Sequence, residues 1–110
     1  MSQRALLGAL LGGFGLLAIG APMARAAEAQ VKIDNFSFSP AVLTVEAGTR
    51  VTWTNHDDIP HTVVGAATPR AMKSPPMDTD ESFAFTFDKA GTYAYFCSLH
   101  AHMQGTVVVR

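Results

Sequence analysis

Four side chains that bind soft metals fall within the seven residues Cys97-Ser98-Leu99-His100-Ala101-His102-Met103. The segment holds one thiol, two imidazoles and one thioether, and Cys97 is the only cysteine in the 110-residue chain. Singly, such residues have ordinary roles, a lone buried cysteine behaving as a small hydrophobe. Together they describe a coordination site. Cys97, His100 and Met103 are spaced three apart, and a short loop can fold all three side chains towards one point. Upstream, His61 follows Pro60 and precedes Val63-Val64, which places it at the interior end of a strand.

The mix of donors discriminates between metals. Zinc prefers thiolate, imidazole or carboxylate, and thioether is a poor fourth ligand for it. Thiolate and thioether with two imidazoles suit copper in both of its oxidation states. Two histidines and a cysteine in a plane, with a weak axial methionine, form the blue-copper pattern.

The elements that must position these donors read as strands. Val31 and Ile33 alternate, and the phase then shifts to Phe36 and Phe38, which predicts a bulge near Asp34-Asn35. Residues 42–55 form two β-rich runs joined around Ala47-Gly48, as a hairpin or a tight corner. Phe83, Phe85 and Phe87 alternate before a turn at Lys89-Ala90-Gly91, and the pattern resumes with Tyr93 and Tyr95. Residues 105–110 supply a closing strand. Residues 65–81 hold three prolines and two methionines and read as a long loop. No stretch after the leader has a helical period, so the fold class is all-β, a sandwich or barrel. Phe36, Phe38, Trp53, Phe83, Phe85 and Phe87 are its expected aromatic core, with about half of them facing inward by alternation.

Residues 1–26 have a basic start, an apolar run from Ala5 to Ala21 and a small-x-small site at Ala24-Arg25-Ala26. These mark a cleaved secretory signal peptide. Gly8, Gly12, Gly13, Gly15 and Gly20 weaken the run as a membrane anchor, so no stable membrane insertion is expected after cleavage. The mature domain is then 27–110, with six Lys/Arg against nine Asp/Glu. A net charge of about −3 argues against nucleic acid as a partner. A domain of this size often needs a staple, and one cysteine cannot form a disulfide within the chain, which leaves a metal. In an oxidising compartment a free thiol is prone to oxidation, and coordination protects it.

Residues 38–64 and 90–109, running through Pro60-His61 and the Cys97–Met103 segment, resemble the cupredoxins. Cysteine followed by histidine at three and methionine at six is similar to amicyanin, whose ligand loop is shorter than those of plastocyanins and azurins. The resemblance implies a two-sheet Greek-key β-sandwich with one type 1 copper at one end, and His61, Cys97, His100 and Met103 as its ligands. Two departures stand out. Thr62 occupies a position where amicyanins and plastocyanins usually carry asparagine, whose side chain ties the ligand-bearing loops together; threonine has one fewer donor and a shorter reach. His102 stands where amicyanin has an aromatic residue, and is expected to face solvent.

The function so implied is a periplasmic, monomeric one-electron carrier that is not an enzyme. It would pass electrons between a redox protein donor and acceptor, such as a dehydrogenase and a cytochrome. Multicopper oxidases of this fold need histidines flanking the cysteine, and the flanks here are Phe96 and Ser98. The alternative is a periplasmic copper-delivery or copper-resistance protein, for which His56, His102, Met72 and Met77 would be extra donors. Packing of Met72 and Met77 over the sandwich end, and a solvated turn at His56-Asp57-Asp58, are the plainer expectations.

Overall fold

Alternation of apolar and polar residues resolves into eight strands in a computed structural model that describes residues 27–68 and 70–110. The leader assigned to residues 1–26 lies outside the described residues. In chain order the strands are β1 (Glu28–Asp34), β2 (Ser37–Ser39), β3 (Val42–Val45), β4 (Thr49–Asn55), β5 (Val64–Gly65), β6 (Ser82–Phe87), β7 (Gly91–Phe96) and β8 (Gln104–Val109). They form two four-stranded sheets, ordered β2-β1-β4-β6 and β3-β8-β7-β5. The β1–β4 and β3–β8 pairs are parallel, and the remaining pairs are antiparallel.

Period-two alternation turns one face of each sheet inward. Val31, Ile33, Val51, Trp53 and Phe87 are buried on the first sheet, and Val45, Tyr95, Val107 and Val109 on the second. The sheets meet through aromatic rings: Tyr95 lies 4.7 Å from Phe38 and 5.3 Å from Trp53, centroid to centroid. Phe83 and Phe85 are only partly buried against this core, as expected at the edge strand β6.

The two joins read from the sequence are corners at which the chain changes sheet. β3 and β4 lie in different sheets, joined through Gly48, whose φ of 93° suits glycine. β6 and β7 are likewise in opposite sheets. The expected bulge near Asp34-Asn35 is instead a tight hairpin, with Asp34 paired to Ser37 and Ile33 to Phe38. Asn35 and Phe36 have φ of 53° and 57°, the left-handed pair that a two-residue type I′ turn requires. The apolar phase shifts because the chain reverses. Phe36 is therefore at a turn tip, 44% exposed, and does not belong to the core. A left-handed backbone costs a residue with a side chain roughly 1–2 kcal/mol.

The long segment before β6 is a strap with little regular structure. It runs antiparallel to residues 61–65, through backbone hydrogen bonds in both directions between His61 and Met77 and a bond from Gly65 N to Met72 O. Ser74 fixes its middle: its amide donates to Val63 O, and its Oγ accepts from Val63 N. Met72 and Met77 are buried beneath it, in agreement with packing over the sandwich.

Gly105 faces Tyr95 directly across the β7–β8 ladder. A Cβ at this position would overlap the Tyr95 ring, which Phe38 and Trp53 hold in place. Gly105→Ala should therefore lower stability by about 1–3 kcal/mol through overpacking, read as an earlier urea midpoint with an unchanged slope.

Candidate metal centre

The three-residue spacing of the ligand loop has a direct backbone counterpart. His100 N donates to Cys97 O at 3.2 Å, and Met103 N donates to His100 O at 2.8 Å, giving two consecutive turns. Cys97 N donates to Met103 O at 3.1 Å and closes the loop on itself. Each turn returns the chain to the same side, so Cys97 and Met103 are buried and His100 is half-buried. Leu99, Ala101 and His102 are exposed, and His102 faces solvent as expected.

His61 arrives from the other side, fully buried after β4. Its Nδ1 lies 3.7 Å from Cys97 Sγ, and His100 Nδ1 lies at the same distance from that sulfur. The three donor atoms are all within 4.8 Å of one another. Ligands held about 2.0–2.3 Å from one ion, with an angle near 120° between them, lie roughly 3.7 Å apart. The two sulfur–nitrogen distances therefore fit donors that share a single ion.

The other ring nitrogen of His61 is also fixed. With Nδ1 turned to the thiolate, Nε2 carries the proton and donates to Asp57 Oδ2 at 2.8 Å. A carboxylate behind a ligating imidazole sets its tautomer and ring plane. Asp57 also accepts from Asn35 N (2.6 Å) and Phe36 N (2.9 Å). Partial burial raises its pKa, but these donors and His61 outweigh that and hold the carboxyl below its ordinary value. The expected solvated turn at His56-Asp57-Asp58 is thus corrected for Asp57, while His56 is exposed. Asn55, buried at the end of β4, stitches the neighbouring loops: its Nδ2 donates to Ile59 O and Met77 O, and its Oδ1 accepts from Asp57 N.

Burial alone would disfavour a thiolate at Cys97. It is outweighed by the hydrogen-bonding amides of Thr62 and Leu99 and by the two imidazoles beside the sulfur, which together bring the thiol down to about 6. Thr62 N lies 3.4 Å and Thr62 Oγ1 3.8 Å from the sulfur. Thr62 also ties the two ligand segments, because its hydroxyl oxygen accepts from Ser98 N at 2.7 Å and lies 2.8 Å from Ser98 Oγ. The shorter reach of threonine is met by a second hydroxyl from the facing loop.

The profile of the copper binding proteins, plastocyanin/azurin family, matches residues 25–110. The chain belongs to this family. Amicyanin-alpha of Methylorubrum extorquens is 34% identical over 89 residues, 78% of this chain and 75% of that protein. The chloroplastic plastocyanin of Tetradesmus obliquus is 36% identical over 116 residues, covering 94% of this chain and 77% of the plastocyanin. Among solved structures, a purple cupredoxin from Nitrosopumilus maritimus superposes with a TM-score of 0.70 at 34% identity, over 74% of this chain and 99% of that one. The cofactor of this cupredoxin is copper, and His61, Cys97 and His100 are grouped as such an ion requires.

Asp57, Asn55, Ser98 and Phe36 also belong to the centre, although the spacing of the metal-binding side chains does not mark them. For Asp57 a signal existed: a carboxylate four residues from a candidate ligand histidine. Asp57→Ala should weaken copper affinity by about 10–100-fold, measured by chelator competition, with the circular dichroism of the metal-free protein unchanged. Metal-free protein should also show an ultraviolet thiolate titration centred near 6, well below the ordinary cysteine value of about 8.5. The depressed value means the thiolate persists above that pH and is lost below it, and Cys97→Ser should remove the transition.

Proposed function

We propose that the protein is a soluble one-electron carrier of the periplasm, with copper held by His61, Cys97, His100 and Met103. The observation that carries this reading is the convergence of Cys97 Sγ with the Nδ1 atoms of two imidazoles, beside a buried methionine on the same loop. Bound there, copper would supply one-electron redox chemistry, with Met103 as a weak fourth donor and the hydrogen bonds from Thr62 to the sulfur tuning its potential.

The chain's own residues have separable tasks. Cys97 supplies the thiolate and the most covalent path. His61, clamped by Asp57, is the buried anchor. His100 reaches towards the surface, where Leu99, 50% exposed, and Ala101 give a small apolar rim suited to brief docking of a redox partner. The donor and acceptor are redox proteins of the dehydrogenase or cytochrome class, and the chain acts as a monomer. With Phe96 and Ser98 beside Cys97, no histidine extends the centre towards a second copper cluster. Burial of Met72 and Met77 favours electron transfer over copper delivery, because it withdraws two soft donors from incoming ions. The leader and Ala24-Arg25-Ala26 support export and cleavage before Ala27.

Mature protein loaded with Cu(II) should be intensely coloured through sulfur-to-copper charge transfer, and Cys97→Ser should abolish the colour. It should also retain copper through repeated reduction and reoxidation in the presence of a chelator. A weakly absorbing Cu(II) adduct would remove the blue-copper reading, and loss of the ion within the first cycles would favour delivery.

A further inference from the structure

The β1–β2 turn contains a contradiction between backbone and side chain. A type I′ turn favours Asn-Gly at its two central positions, and this chain has Asn35-Phe36. Phe36 adopts φ of 57°, a conformation that costs glycine nothing. Burial does not explain the choice, since the residue is 44% exposed. Strain of this kind at a non-glycine residue points to a task for its side chain.

The task is visible in what the ring touches. Phe36 meets His100 edge to face, with centroids 5.2 Å apart and planes at 89°. It meets His61 in the same manner, at 5.6 Å and 84°. The two imidazoles need this support unequally. His61 is held at both nitrogens, by Cys97 and by Asp57. Among the described residues, the His100 ring has no hydrogen-bond partner besides Cys97 Sγ. Phe36 supplies the second restraint. Its own position is set by Asp57, whose Oδ2 accepts from both Phe36 N and His61 Nε2, so one carboxylate registers the turn against the buried ligand.

We propose that Phe36 is a positioning residue of the copper centre, kept in a glycine-type conformation because its ring braces the His100 imidazole against His61. The brace acts on the loop ligand, and its effect is retention of the metal. The proposal rests on copper occupying this centre and does not depend on whether the protein's task is electron transfer.

The test compares wild type, Phe36→Gly, Phe36→Asn and Phe36→Tyr. Glycine and asparagine both tolerate the left-handed backbone and lack the ring, whereas tyrosine restores it. Relief of strain should offset the lost contacts, so the two ring-free variants without metal should melt within about 4 °C of wild type. Their Cu(II) should pass to excess EDTA about tenfold faster, and Phe36→Tyr should return to the wild-type rate. Proton NMR of the metal-free proteins should show a ring-current shift on the His100 ring protons in wild type and Phe36→Tyr only. Copper release no faster without the ring would overturn the proposal, as would an unshifted His100. A parallel fall in melting temperature and copper retention would overturn it too, by making position 36 merely structural. Failure of the copper centre itself would show differently, as a wild-type protein without charge-transfer colour.

Discussion

A fully buried thiolate is the demand around which this fold is organised. An anion removed from water is tolerated only when donors replace the lost hydration. Cys97 finds them in the amide and hydroxyl of Thr62 and the amide of Leu99, with two imidazoles facing the sulfur. Thr62 and His61 can be supplied only if the chain leaving β4 passes over the end of the sandwich. His100 can be supplied only if the loop after β7 turns back on itself. Both requirements fall at the same end of the two sheets, where Met77 of the strap pairs with the backbone of His61.

Rigidity follows from redundancy. The segment carrying His61 is pinned at its side chain by Asp57, at its backbone by Met77 and at its start by Asn55. The ligand loop is pinned by its own turns and by the Thr62–Ser98 pair. A site held from several directions changes little when its charge changes, which suits the centre of an electron carrier. That rigidity comes from hydrogen bonds between loops, while the sheets set only where the loops begin.

The sequence made the donors legible because their spacing is itself local structure. Cys97, His100 and Met103 recur every three residues, and the backbone turns recur with them. The strands were legible through their alternation, as was the strap through its prolines. Less could be read where the outcome depended on partners distant in the chain. Whether the run after Gly48 formed a hairpin or crossed to the other sheet depended on which edge offered a pairing. The β1–β2 hairpin was hidden because phenylalanine stands where a turn of that type usually has glycine, and the phase shift alone resembled a bulge. Asp57 sat among polar neighbours, and its importance came from Asn35, Phe36 and His61 converging on it in three dimensions.

The placement of the donors along the chain also has a consequence for the unfolded state. Cys97, His100 and Met103 lie within seven residues, whereas His61 is separated from the cysteine by 36. Unfolding therefore disperses only one member of the set. The other three remain near one another at little entropic cost, since closing so short a loop is easy. An ion that also binds the unfolded chain stabilises the native form by less than its full affinity suggests. What separates the two states is the contribution of His61 and the burial that accompanies it. The same arrangement lets the metal gather the ligand loop before the sheets have packed, so that His61 is the contact that completes the site.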